Sequence, residues 1–167
     1  MTITSSMKAT EHVGIDKRSE NMKNQQTPEW LNVFRRCGLQ VVGNAPQDGP
    51  PVRSAIYAVA GFDVEPVASI PVSSPDATEE LDQKWHYYAS TVSLYGEDGE
   101  FLILPPVSGG SEVGWVRVKD LVGRSLPSRI SGATGSPEFI AVSIDGRHLC
   151  AASVEDYDYW VVLHEFS

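Results

Sequence analysis

Residues Glu138 to Phe166 read EFIAVSIDGRHLCAASVEDYDYWVVLHEF. Asp145-Gly146 divides two alternating apolar runs, the strongest short-range signal for a β-hairpin. It predicts a two-residue type I′ turn with Ile144 opposite Arg147, Val142 opposite Leu149 and Ile140 opposite Ala151. A longer connection, Val154 to Asp158, leads into a third run, so 138–166 is expected to form an antiparallel meander. Pairing Ser153 with Tyr159 sets Leu149 against Leu163 and Ala151 against Val161. Ile140, Val142, Leu149, Ala151, Val161 and Leu163 then share one aliphatic face, the predicted core side. The reverse face places His148 across from His164, with Cys150 two residues along the strand.

Working outward, a second hairpin is expected at about 87–104. Glu97-Asp98-Gly99 suits a three-residue loop whose glycine takes the left-handed position, with Gly96 paired to Glu100. Thr27-Pro28-Glu29 supplies a capping hydroxyl, a proline for the first helical position and an acid for the helix dipole. Trp30, Val33, Phe34 and Cys37 then recur at helical spacing, which predicts a helix over about 28–37 closed by Gly38. Ser54 to Val64 reads as a strand and Val67 to Val72 as a weaker extended run. Ser74-Pro75-Asp76 opens a short helix to about Lys84, with Ala77, Leu81 and Trp85 on its face. Trp115 to Val118 is extended, Asp120 and Arg124 fall i,i+4 on a helical turn, and the Ser- and Gly-rich stretch 123–137 reads as a long loop. The class is therefore α+β: a mostly antiparallel sheet with one N-terminal helix and one or two short helices packed against it. Residues 1–26 are polar and without apolar period, the composition of a flexible tail, leaving 27–167 as a single α+β domain.

Charge narrows the function classes. The 167 residues sum to −9, and residues 54–116 alone hold ten acids against one base, Lys84. Residues 148–167 add four acids and no Lys or Arg. Such a field opposes direct binding to nucleic acid, where affinity comes from basic groups neutralising phosphates. No apolar run approaches the length of a membrane span, and Met1 to Gln26 has no apolar signal core. The two cysteines, Cys37 and Cys150, form no C-x-x-C pair and are expected as free thiols, which points to the cytoplasm.

Candidate chemistry is sparse. Phosphate-loop, dinucleotide, zinc-protease and nucleophile-elbow motifs are missing, and nothing in the sequence calls for a cofactor or a metal. Gly132-Ala133-Thr134-Gly135 has the glycines of a phosphate loop but no lysine, and Asp156 with Asp158 lacks the calcium-loop pattern. Cys150 with His148 or His164 is the low-ranked catalytic alternative, because no carboxylate on that face would orient the base. The most suggestive binding feature is Glu155-Asp156-Tyr157-Asp158-Tyr159, three acids and two tyrosines on a connection between strands, with Glu97 and Asp98 as further acidic positions. These features favour an acidic intracellular protein-binding module, an inhibitor of toxin-immunity or anti-defence type that occludes a basic partner. A small enzyme and an assembly component of a larger particle are the alternatives.

Overall fold

A computed structural model describes residues 27–43 and 49–167. The predicted tail lies outside the described residues, as does most of the Asn44 to Pro51 loop. In chain order the elements are α1 (Glu29–Arg36), β1 (Leu39–Val41), α2 (Val52–Ala60), β2 (Ala68–Pro71), α3 (Ala77–Thr91) and β3 (Glu100–Ile103). There follow α4 (Gly110–Val113), β4 (Val116–Asp120), α5 (Leu126–Thr134), β5 (Phe139–Val142), β6 (His148–Val154) and β7 (Asp158–Glu165). The strands make one antiparallel sheet of seven in the order β1-β4-β3-β5-β6-β7-β2. The α+β class and the antiparallel sheet are as expected.

Both faces of that sheet are covered. On one, Phe101, Ile103, Val118, Phe139, Cys150 and Val161 meet helix residues that include Phe34, Leu81, Trp85 and Ile130. On the other, Leu102, Val142, Leu149 and Val162 meet Ala55 and Val59 of α2, with Trp115 beside them. Trp85 is 1% exposed and donates from Nε1 to the Cys150 carbonyl at 3.2 Å, which fixes α3 on the sheet. Truncating it to alanine should cost about 3–5 kcal/mol.

Several expectations fail, each for a traceable reason. The strand predicted at Ser54 to Val64 is helix α2: its β-branched residues read as strand, but Ala55 and Val59, four apart, are its buried side. The helix predicted to end near Lys84 runs to Thr91, so the first half of the 87–104 hairpin is absent. Ala77, Leu81, Trp85 and Ala89 keep a strict four-residue period and are all buried, a pattern masked by the strand-favouring aromatics at 85–88. The Gly96–Glu100 turn does form: the Gly96 N–H donates to the Glu100 carbonyl at 2.8 Å and Gly99 has φ 76°. The supposed loop 123–137 holds α5, with Pro127 in its first turn, and Asp120 ends β4 instead of starting a helical turn with Arg124. The predicted Thr27 cap is displaced by Pro28, which occupies the N-cap position of α1.

The β5–β6 register is as predicted, Val142 with Leu149 and Ile140 with Ala151. Its turn is not type I′, since Asp145 does not take positive φ and only Gly146 does, at 76°. The Gly146 N–H donates instead to the Ser143 carbonyl, closing a turn over 143–146. Between β6 and β7 the pairing is shifted by one residue. Leu149 faces His164, Cys150 faces Leu163, and Val154 faces Tyr159. The Glu155 N–H donates to the Asp158 carbonyl at 2.8 Å, closing a shorter loop than expected. The aliphatic face does not select the register, because β6 is covered on both sides. Leu149, Cys150, Ala151 and Ala152 are all buried, so both faces of β6 are apolar and neither register is disfavoured. Leu149 and Leu163 therefore lie on opposite sides of the sheet.

Candidate functional site

The one-residue shift takes the Cys/His constellation apart. His148 is opposite Glu165 on the face of Cys150, and His164 is opposite Leu149 on the other. His164 sits beside Arg53, Tyr57 and Phe166, its ring 4.6 Å from that of Phe166. Cys150 is fully buried, and that burial pushes its thiol far above the ordinary range. Cys37 is equally buried and its thiol is pushed up to about 11 by desolvation, against the opposing pull of Arg129 and Arg36. Neither sulfur is a thiolate nucleophile at neutral pH. Among the described residues no group of three His, Cys, Asp or Glu side chains is arranged to hold a metal ion.

The acidic loop stands differently. Tyr159 packs against the helix-covered core rather than presenting itself to solvent. Glu155 is half-buried, its Oε2 accepting from the Ser153 hydroxyl at 2.6 Å. Asp156 and Tyr157 are left at the tip, with Tyr157 82% exposed. Glu97 and Asp98 are not with them. β3 runs antiparallel to β5, Leu102 facing Val142, so the 97–99 turn lies at the opposite end of the sheet near the Ser143–Gly146 turn.

Other acids take their place. Edge strand β2 pairs with β7, Pro71 facing Asp158, and the Val72 N–H donates to the Tyr157 carbonyl at 2.9 Å. That carries the segment leading into α3 alongside the β6–β7 loop. Asp76, Glu79 and Glu80, all exposed, thereby stand with Asp156, Asp158 and Glu155 on one end of the molecule. Val72, Val154 and Tyr157 are exposed apolar side chains among them. Residues 72–80 and 154–160 contain no Lys or Arg. Glu79 and Glu80 also complement the positive end of the α3 dipole, which accounts for their position in the first turn without any ligand. The sequence did mark both segments as acidic; their adjacency depends on a pairing between residues some 90 apart, which local patterning does not report.

At the far end Glu97 and Asp98 are exposed, but other carboxylates are engaged internally. Asp120 accepts from the Val122 and Gly123 amides, from Arg129 Nη2 at 2.9 Å and from the Tyr95 hydroxyl at 3.3 Å. Arg129 also donates to the Cys37 and Arg124 carbonyls, so it joins α1, β4 and α5. Burial, together with Asp120, pushes the Tyr95 hydroxyl far above its ordinary range. Asp82 of α3 accepts from the Ser128 amide at 2.9 Å and from its hydroxyl, capping the first turn of α5 from a neighbouring helix. The Ser143 hydroxyl and the Arg147 N–H hold the Asp145 carboxyl below its ordinary range. The Asp82–Ser128 and Asp120–Tyr95 contacts were missed because their partners are 46 and 25 residues apart in sequence, whereas the partners of Asp145 are two residues away.

No helix among the described residues is long and apolar enough to cross a membrane. Comparison with protein-family models, with curated proteins and with solved structures gives no match to this chain.

Proposed function

We propose that this protein is an acidic protein-binding module that covers a basic surface on a partner, an inhibitor of the toxin-immunity or anti-defence kind, working in the cytoplasm where buried free thiols are at home. One observation carries the reading: β2–β7 pairing gathers two acidic segments without a Lys or Arg around an 82% exposed Tyr157. Charge on such a surface speeds encounter with a basic partner, and a rigidly mounted tyrosine supplies contact area at little entropic cost. The carboxylates there serve no ion pair among the described residues, where the pairs formed are Glu29–Arg36, Glu100–Arg117, Asp120–Arg129 and Glu165–Arg147.

The test compares capture of cell proteins by the parent and by a double variant, Asp156→Lys with Tyr157→Ala, at low and raised ionic strength. A basic protein held by the parent, released by salt and not retained by the variant is the expected result. Equal retention by both chains, or a captured set without basic proteins, overturns the reading.

A further inference from the structure

A cleft of about 800 Å³ opens at the end of the sheet that carries the acidic loop. One wall is the β3–β4 connection, which the sequence presents as a proline stop followed by a flexible Gly-Gly-Ser. It is tightly built instead. Pro105 is buried, the Gly110 N–H donates to the Val107 carbonyl at 2.9 Å, and a side chain on Gly110 would collide with the Pro105 carbonyl. The floor is apolar, with Val33, Val59, Leu104, Phe139 and Ile140.

The ionisable groups on this cleft are all of one sign. Among the described lining residues only Glu29 and Glu138 are ionisable, and there is no Lys, Arg or His. Glu138 is oriented by the Val154 N–H, which donates to its Oε2 at 3.1 Å. Glu29 reaches Arg36 only at 3.8 Å, between side chains 73% and 57% exposed, and Arg36 also donates to the Ala133 carbonyl. Ser153, buried in the lining, donates to Glu155, so the cleft runs directly into the acidic loop.

We propose that this cleft receives a Lys or Arg side chain from an extended segment of the protein partner. The inference rests on the function proposed above and names the pocket within it. The apolar stem of such a side chain would lie along Val59, Val107 and Ile140 while its cation meets the carboxylates of Glu138 and Glu29. A purely apolar occupant would leave Glu138, which forms no ion pair among the described residues, without a counter-charge, and an anion would be repelled by it.

The test screens the full chain against a combinatorial library of short peptides. Peptides carrying Lys or Arg beside apolar residues should be selected, and Glu138→Gln should weaken them about tenfold. Ala60→Trp and Ser108→Trp, at exposed positions on the rim, should abolish selection while leaving the melting temperature unchanged. A library without basic preference, or tryptophan variants that bind like the parent, overturns the proposal. So does self-association of the parent lost in the same variants, which would assign the cleft to a second copy of the chain. Should partner capture fail with Asp156→Lys and Tyr157→Ala but survive Ser108→Trp, the cleft proposal falls and the acidic-surface reading stands. If basic peptides bind in the cleft while the partner ignores changes at Asp156 and Tyr157, the cleft stands and the acidic-surface reading falls.

Discussion

At the end of the sheet where β4 turns toward α5, Asp120 is buried and accepts hydrogen bonds from two backbone amides, a guanidinium and a phenol. At the opposite end Asp76, Glu79, Glu80 and Asp156 are exposed, and no Lys or Arg occurs in the segments that carry them. Asp120 and these four acids use the same functional group for different purposes. A carboxylate taken out of water must be matched by donors and a counter-charge, and once matched it holds elements together. A solvated carboxylate with no partner contributes little to stability but adds to the field that a partner meets. Acidity by itself therefore says nothing of role. The donors around each acid do.

The contrast can be broken most directly at Asp120. Asp120→Ala should destabilise the protein by about 3–5 kcal/mol, because it strands Arg129 in a site where that side chain is only 16% exposed. Urea unfolding measures this, and a loss below about 1 kcal/mol would mean that the network is dispensable. Asp82→Ala should cost less, about 1–2 kcal/mol, since it removes a cap from α5 without isolating a charge. An equal loss at both sites would erase the distinction between a carboxylate paired with a guanidinium and one that caps a helix through neutral donors.

A pH titration sharpens the same comparison. Cys37 has its folded-state pKa raised from 9.0 to about 11, so the unfolded chain gives up that proton first. The native state is then favoured fully below pH 9 and loses that advantage as pH rises toward about 11. Thiol labelling follows the same logic. Both cysteines should resist a disulfide reagent at neutral pH in the native state and react once unfolded. Rapid native labelling of either would contradict the burial described. The smallest stability effects are expected at the acidic end, where Asp156→Lys should leave the unfolding midpoint essentially unmoved and Glu79→Lys, which reverses a charge in the first turn of α3, should cost about 0.3–1 kcal/mol. Their effect belongs to association: a slower on-rate with a basic partner, and a weaker dependence on salt.

The legibility of the chain follows the range of the interactions involved. Helix α1 was readable because its apolar spacing and flanking proline act within a few residues. The Gly96–Glu100 turn was readable as well, since a left-handed glycine is a local requirement. Helix α3 was only half-read, although Ala89 continues the row begun by Ala77, Leu81 and Trp85. Helices α2 and α5 were missed because their sequences carry weak local preference and their helicity comes from packing. Of the candidate site, Asp156 and Tyr157 were found on the exposed tip, while Asp76, Glu79 and Glu80 were not foreseen as their neighbours.

By itself the sequence determined the α+β class, the β5–β6 register and the acidic balance of two separate segments, all properties set by neighbours along the chain or by composition. Only the tertiary structure decided that both faces of the sheet are covered, and with that the β6–β7 register. It parted His148 from His164, buried Cys150 and joined residues 72–80 to the 155–158 loop. The physical reason is that a strand apolar on both sides carries no mark of which side faces which layer. The packed layers supply that mark by choosing which side chains can be buried together.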